Sequence, residues 1–323
     1  SWLSGTGFCN VAWGFDRVDA YANAGGNDQV RLYDSAGDDW FHGKSTESWL
    51  SGTGFCNVAW GFDRVDAYAN AGGNDQARLY DSAGDDWFYG KSTESWLSGT
   101  GFCNVAWGFD RVDAYANAGG NDRARLYDSV GDDWFYGKST ESWLSGTGFC
   151  NVAWGFDRVD AYANAGGNDR ARLYDSAGDD SFYGKATESW LSGDGFSNVA
   201  WGFDRVDGYA SGGYDQAKFY DSAGNDLFYG DYVTSSLTGT GFANYSHGFD
   251  RIDAFARAGG TDRAKITGVL AADSVFGRDS YLDWVNHHLE LFDFITATAA
   301  DGQSPHADVV DIDYVFDMLG TWI

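Results

Sequence analysis

Gly14-Phe15-Asp16-Arg17-Val18, Gly26-Asn27-Asp28-Gln29-Val30 and Gly37-Asp38-Asp39-Trp40-Phe41 are three versions of one pattern, Gly-x-Asp-x-apolar. A fourth, Gly7-Phe8-Cys9-Asn10-Val11, carries Cys in the Asp place. Each version sets a residue free to take positive φ before a turn-forming side chain, and then opens an alternating run. Continued with period two, the runs put Val18, Ala20, Ala22, Val30, Leu32 and Phe41 on one face, and in the same phase Cys9, Val11 and Trp13. The other face takes Arg17, Asp19, Tyr21, Gln29, Arg31, Tyr33, Trp40 and His42. No apolar stripe at helical spacing interrupts these runs, so the class is all-β, with four short strands.

The segment from Ser1 to Glu47 recurs almost unchanged from Ser48, Ser95 and Ser142, a period of 48 − 1 = 47 residues. Looser copies start at Ser189 and Ser235, giving repeats 1–47, 48–94, 95–141, 142–188, 189–234 and 235–278. The array then decays. Asp273-Ser274-Val275-Phe276-Gly277 echoes Asp86-Trp87-Phe88-Tyr89-Gly90, and Phe292–Ala297 echoes Phe15–Ala20. Residues 279–323, a degenerate half-repeat and cap, hold nine acidic residues and no Lys or Arg. Two architectures accommodate such units, a six-bladed β-propeller and a β-solenoid of one or two coils per repeat. A lone Gly14 between two strands suits a solenoid corner better than a hairpin, and decay into a half-repeat caps a stack rather than closing a ring. The expectation is a β-solenoid, the cap built of strands because Leu289 to Ala299 alternates.

Charge narrows the function classes. Over 323 residues, 48 Asp and Glu oppose 21 Lys and Arg, a net −27, which disfavours nucleic acid and anionic membranes and invites cations. No apolar run reaches the roughly 20 residues of a membrane span, so no transmembrane segment is expected. The chain opens at Ser1 inside a repeat, as expected of a piece cut from a longer secreted or cell-surface protein. Stacking by repeat would align Asp16, Asp63, Asp110 and Asp157 in one column. A second column would hold Asp28, Asp75, Asp122 and Asp169, and a third Asp39, Asp86, Asp133 and Asp180. Like charges about 4.8 Å apart repel. Two remedies are open: turn capping with Arg partners such as Arg17 and Arg31, or Ca²⁺ bound by these carboxylates.

Gly-x-Asp-x-apolar resembles the nonapeptide unit of RTX-type calcium-binding β-rolls, although the glycines stand 12 and 11 residues apart here. Gly167-Asn168-Asp169-Arg170-Ala171-Arg172-Leu173-Tyr174-Asp175-Ser176 and Gly248-Phe249-Asp250-Arg251-Ile252-Asp253 look like tandem repeats of very large secreted or surface proteins of Planctomycetes-type bacteria. The resemblances imply a structural or adhesive role in which calcium stabilises the fold.

Outward Trp40, Trp87 and Trp134 beside Tyr33, Tyr80 and Tyr127 are candidates for a flat surface that takes a glycan, another copy or neighbouring repeats. Cys9, Cys56, Cys103 and Cys150 give way later to Ser197 and Ala243, which reads as a small, inward, free thiol position. His287 and His288 are adjacent on a strand and point to opposite faces. No nucleophile elbow, zinc motif or phosphate loop occurs, and nearly identical copies offer no singular cleft, so no enzyme is expected.

Overall fold

The computed structural model describes residues 1–5 and 8–323; Gly7, which opens the Gly7–Val11 motif, lies outside the described residues. The described chain is all-β and coils as a β-solenoid, not as a propeller. No described helix is long and apolar enough to cross a membrane. Two compact units form, Ser1–Trp134 with Thr140–Gly167, and Phe135–Ser139 with Asn168–Ile323.

The first unit begins with β1 (Trp2–Gly5), β2 (Phe8–Val11), β3 (Arg17–Tyr21), β4 (Gln29–Tyr33) and β5 (Trp40–Gly43). There follow β6 (Glu47–Gly52), β7 (Phe55–Trp60), β8 (Arg64–Tyr68), β9 (Gln76–Tyr80) and β10 (Trp87–Gly90). The next repeat supplies β11 (Glu94–Gly99), β12 (Phe102–Trp107), β13 (Arg111–Tyr115) and β14 (Arg123–Tyr127). A repeat therefore holds five strands, not four. The fifth, of the β6 and β11 kind, buries Ser48 and Leu50 and turns Trp49 outward.

One sheet runs β3-β7-β6-β5-β9-β13 and the other β4-β8-β12-β11-β10-β14. Single strands pair in parallel, whereas β5-β6-β7 and β10-β11-β12 are antiparallel meanders. The chain lays β5 three places beyond β3 and fills the gap by folding back. Each repeat visits the sheets three times and two visits make a turn, so a repeat winds one and a half turns and successive meanders fall in opposite sheets. Neither one nor two coils per repeat is correct. Parallel neighbours are accordingly offset by 64 − 29 = 35, 76 − 40 = 36 or 56 − 17 = 39 residues, never by the sequence period.

The second unit follows the same plan. Arg205–Tyr209 leads through the meander Phe242–His247, Thr234–Gly239 and Leu227–Gly230 to Arg263–Val269. Coiling passes the expected boundary at 278 without a break, because Ser274–Asp279 spans it and forms a meander with Tyr281–Trp284 and His287–Glu290. Phe294–Ala299 and Val315–Leu319 then pair in parallel, so the cap is made of strands.

Inward Val65, Ala67, Ala77, Leu79 and Phe88 are buried in the expected phase, and Leu97 of the fifth strand is buried with them. The phase of the Cys-bearing strand is the reverse of the expected one. Phe102, Asn104 and Ala106 face in; Cys103 and Trp107 face out, and so do Cys56 and Trp60. Phe-Cys-Asn-Val-Ala-Trp is apolar in both phases, and its polar member is satisfied inside. The Ser48 hydroxyl donates to Asn104 Oδ1 at 2.9 Å, and Asn104 Nδ2 donates to the Lys44 carbonyl at 3.1 Å. Trp107 instead stacks on Tyr68 at 5.9 Å and donates to Asp66 Oδ1 at 3.3 Å. The thiols are free: Cys9 is exposed and Cys56, Cys103 and Cys150 are half-buried, with burial pushing the Cys103 and Cys150 thiols up. At the sheet-to-sheet corner Gly108 has φ +74°, and a methyl group there would sit 2.7 Å from the Ala69 carbonyl oxygen.

Urea denaturation checks the phase: Phe88→Ala costs about 3–5 kcal/mol, and Asn104→Ala about 1–3 kcal/mol because the buried Ser48 hydroxyl and Lys44 carbonyl both lose their amide partner. Cys103→Ser stays within about 1 kcal/mol, as expected of an outward position.

Candidate functional site

At the second and third Gly-x-Asp corners the main-chain N–H of the Asp that precedes the strand is taken by an Asp carboxylate of the neighbouring coil. Asp39 N–H donates to Asp75 Oδ1 at 2.8 Å and Asp75 N–H to Asp110 Oδ2 at 2.8 Å. Asp86 N–H donates to Asp122 Oδ1 at 2.8 Å, Asp122 N–H to Asp157 Oδ2 at 2.7 Å, and Asp28 N–H to Asp63 Oδ2 at 2.7 Å. The ladders thus join the third Gly-x-Asp of one repeat to the second of the next and the first of the one after. Columns of Asp16, Asp63, Asp110 and Asp157 do not form, because the coil steps by 35 or 36 residues. Asp16 itself is exposed.

Among the described residues, three corners that lie within a single unit each gather three carboxylates. In the first unit Asp81, Asp86 and Asp122 bring oxygens within 4.8 Å of one another; in the second unit Asp175, Asp180 and Asp215 do so, and so do Asp221, Asp226 and Asp262. Asp86 is fully buried, since its carboxylate accepts the Ser82 N–H at 3.0 Å and the Ser82 hydroxyl, closing the Asp81–Asp86 turn. Asp81 Oδ2 accepts the Ala118 N–H at 2.7 Å from the adjacent coil. Gly99 leaves room for the cluster: a methyl group there would lie 1.5 Å from Asp86 Oδ1.

Burial first, then neighbouring carboxylates, push Asp122, Asp215 and Asp262 up to about 6. Burial also raises Asp86 and Asp75. Asp180, 1% exposed, accepts the Ser176 N–H at 2.9 Å through Oδ2, whereas its Oδ1 has no hydrogen-bond partner. Arg64 and Arg111 pair with Asp66 and Asp113 on their own strands at 2.7 Å and not with these clusters.

Among the sequence-predicted ligands, Asp86, Asp122 and Asp180 join these clusters. Asp133, buried, accepts the Ser129 N–H at 3.0 Å, and the Asp169 N–H donates to Asp204 Oδ2 at 2.8 Å. Asp81, Asp175 and Asp221 were not legible as ligands, for they follow Leu-Tyr or Phe-Tyr rather than Gly; the signal was Asp-Ser-Ala-Gly-Asp/Asn-Asp, whose turn returns its last residue to its first. The aromatic candidates divide. Tyr33 and Trp40 lie in different sheets, as do Tyr80 and Trp87, and Tyr127 and Trp134, so no repeat presents the pair as one surface. Arg78 covers Trp40 at 5.5 Å, Arg123 and Arg125 cover Trp87 at 5.4 and 5.2 Å, and Tyr33 and Tyr80 stack on Tyr68 and Tyr115 at 5.1 Å. His287 and His288 do point apart: His287 is buried against Ser235 Oγ at 2.8 Å, its pKa lowered by burial to about 4, while His288 meets Asp283.

No protein-family model, curated protein or solved structure matches the chain. What the geometry offers chemically is an all-oxygen, desolvated, negatively charged cradle repeated along the coil.

Asp122 holds its proton more tightly folded than unfolded, where its pKa is about 3.9, so the metal-free fold loses stability as pH rises from about 4 through 6 and stays low above. Asp122→Asn keeps the acceptor for Asp86 N–H and removes the charge; thermal melts in EDTA should show a midpoint several degrees higher than wild type at pH 7 and equal to it near pH 4. Gly99→Ala should cost about 1–3 kcal/mol by crowding Asp86.

Proposed function

We propose that this β-solenoid is a calcium-stabilised structural repeat protein that acts outside the cell, as a spacer or adhesive segment, without catalysis. The observation that carries the proposal is the recurrence of three carboxylates within 4.8 Å, two buried and one half-buried, one of the buried ones, Asp180, with an oxygen left unpaired. Such a group has two ways to lower its charge, protonation or a hard cation. At neutral pH a carboxylate of pKa about 6 is mostly ionised, which leaves the cation.

Oxygens on opposite sides of Ca²⁺ stand about 4.8 Å apart at bonds of about 2.4 Å, whereas Mg²⁺, at about 2.1 Å, demands a tighter octahedron. Three carboxylates held by turn hydrogen bonds suit the larger and more tolerant ion. Extracellular calcium modules work with dissociation constants of about 10⁻⁴–10⁻³ M, which fits sites that complete an already folded corner. Repetition itself supports a mechanical role, since near-identical corners offer many equivalent ties and no single cleft.

Thermal melts in EDTA, in millimolar Ca²⁺ and in millimolar Mg²⁺ test the proposal. At about 1–10 times its dissociation constant each site adds roughly 0.4–1.4 kcal/mol, so several sites together should let Ca²⁺ raise the midpoint by several degrees and flatten its fall between about pH 4 and 6. Mg²⁺ should do much less. An unchanged midpoint would leave the carboxylates as turn caps alone.

A further inference from the structure

Buried Ser and Asn side chains tie the two sheets together across the core. In the second unit the Ser189 hydroxyl donates to Asn244 Oδ1 at 2.8 Å, and Asn244 Nδ2 donates to the Lys185 carbonyl at 2.9 Å. The next tie is built differently. His287 pairs with Ile252 as Asn244 pairs with Val206, and so stands in the Asn position. Its Nε2 meets Ser235 Oγ at 2.8 Å, but its Nδ1 is buried with no hydrogen-bond partner, so half of the tie is missing.

The ring is enclosed by apolar groups. His287 is 3% exposed, Trp284 stacks on it at 5.0 Å and Phe228 meets it edge-on at 6.1 Å. A cavity of about 10 Å³ beside it, lined by Asp231, Tyr232 and Asn286 among others, admits one water at most and no counter-ion. The charges around the ring are committed elsewhere. Asp231, from the turn after Leu227–Gly230, accepts the Val233 and Thr234 N–H groups at 2.8 Å each and the Tyr229 hydroxyl at 3.2 Å. Tyr232 donates to Asp273, which also accepts Trp284 Nε1 at 3.3 Å. On the paired strand Arg251 and Asp253 flank Ile252, face outward and bind each other at 2.9 Å. His247 faces out to Asp207 at 3.4 Å, His288 faces out to Asp283 at 2.6 Å, and Thr234–Gly239 offers Ser235 and no charge. Burial therefore lowers the His287 pKa to about 4, against smaller upward pulls from Asp231 and the Trp284 main chain. The hairpin that carries the ring is also poised to open, because its turn holds the β-branched Val285 at φ +52°.

We infer that the Ser235–His287 tie is a proton-sensitive latch: a proton taken up by His287 releases the hairpin Tyr281–Glu290 from the core, while the Ser–Asn ties of the other coils hold. Between pH 6.5 and about 4 the open form carries a proton that the closed form does not. The tie is thus intact above pH 6.5 and is lost as pH falls toward 4. Asp215 and Asp262 act with the opposite sign, since carboxylates raised to about 6 make acid favour the closed state. Acid loosens this hairpin while it relieves the corners, and an Asn tie has no proton to take up. The latch goes beyond the proposed function and does not rest on the cation.

The test is hydrogen exchange of the full chain in EDTA from pH 7 to pH 4, corrected for the intrinsic exchange rate at each pH. In the wild type the opening equilibrium of residues 281–290 should rise about 20-fold between pH 7 and pH 5, while Glu188–Gly193 stays as protected as before or more so. His287→Asn supplies the side chain that Asn244 already provides in the preceding tie, and should make the hairpin insensitive to pH over this range. Nitrogen NMR of the wild-type imidazole should show His287 neutral at pH 6 and protonated only as the hairpin opens. The inference fails if wild type and His287→Asn open along the same pH course, or if exchange rises equally across the chain. It also fails if His287 titrates near 6.5 while the hairpin stays protected, a result that decides the matter even should the Asn variant not fold. Calcium is absent throughout, so either outcome leaves the cation reading to its own melts.

Discussion

At corners such as Asp39, Asp75 and Asp86 the main-chain N–H before the strand finds its acceptor in a side chain, and an unpaired buried donor there would cost about 1–3 kcal/mol. An Asp one coil away, as in Asp86 N–H to Asp122, satisfies it and thereby sets the step of the coil at 35 or 36 residues. The same bond draws the carboxylate out of water and toward the carboxylates of the turn above. Registration and charge crowding are therefore one event. A fold that needs Asp at its corners for hydrogen bonding acquires cation-attracting clusters as a consequence, and the close approach at Gly99 shows how tightly they are enclosed.

The second constraint is the backtracking meander. Laying β5 three places ahead and returning through β6 and β7 adds two strands to one sheet, so three sheet visits per repeat send identical sequences to alternate sheets. Aromatic rows that are continuous in sequence become divided in space, which leaves Tyr33 and Trp40 in different sheets, the latter under Arg78.

Much of this was legible in the residues. Gly-x-Asp-x-apolar marked the corners, period two identified Val65, Ala67, Leu79 and Phe88 as core, and the alternation of Leu289 to Ala299 foretold a strand-built cap. The Cys-bearing strand misled because Phe-Cys-Asn-Val-Ala-Trp carries apolar groups in both phases. Only the pairing of Asn104 with Ser48, 56 residues away in sequence, shows which side is inside. Asp81 escaped notice because its role depends on Ala118 and Asp122 in the adjacent coil, not on its own neighbours.

By itself, then, the sequence determined the class: alternation and glycine placement are local, and local sterics suffice to specify short strands and corners. The number of turns per repeat, the partners of each Asp and the sheet taken by each aromatic ring were decided by tertiary structure alone. Each depends on how far ahead the chain is laid before it folds back, and that distance is set by packing between coils, which no single repeat contains.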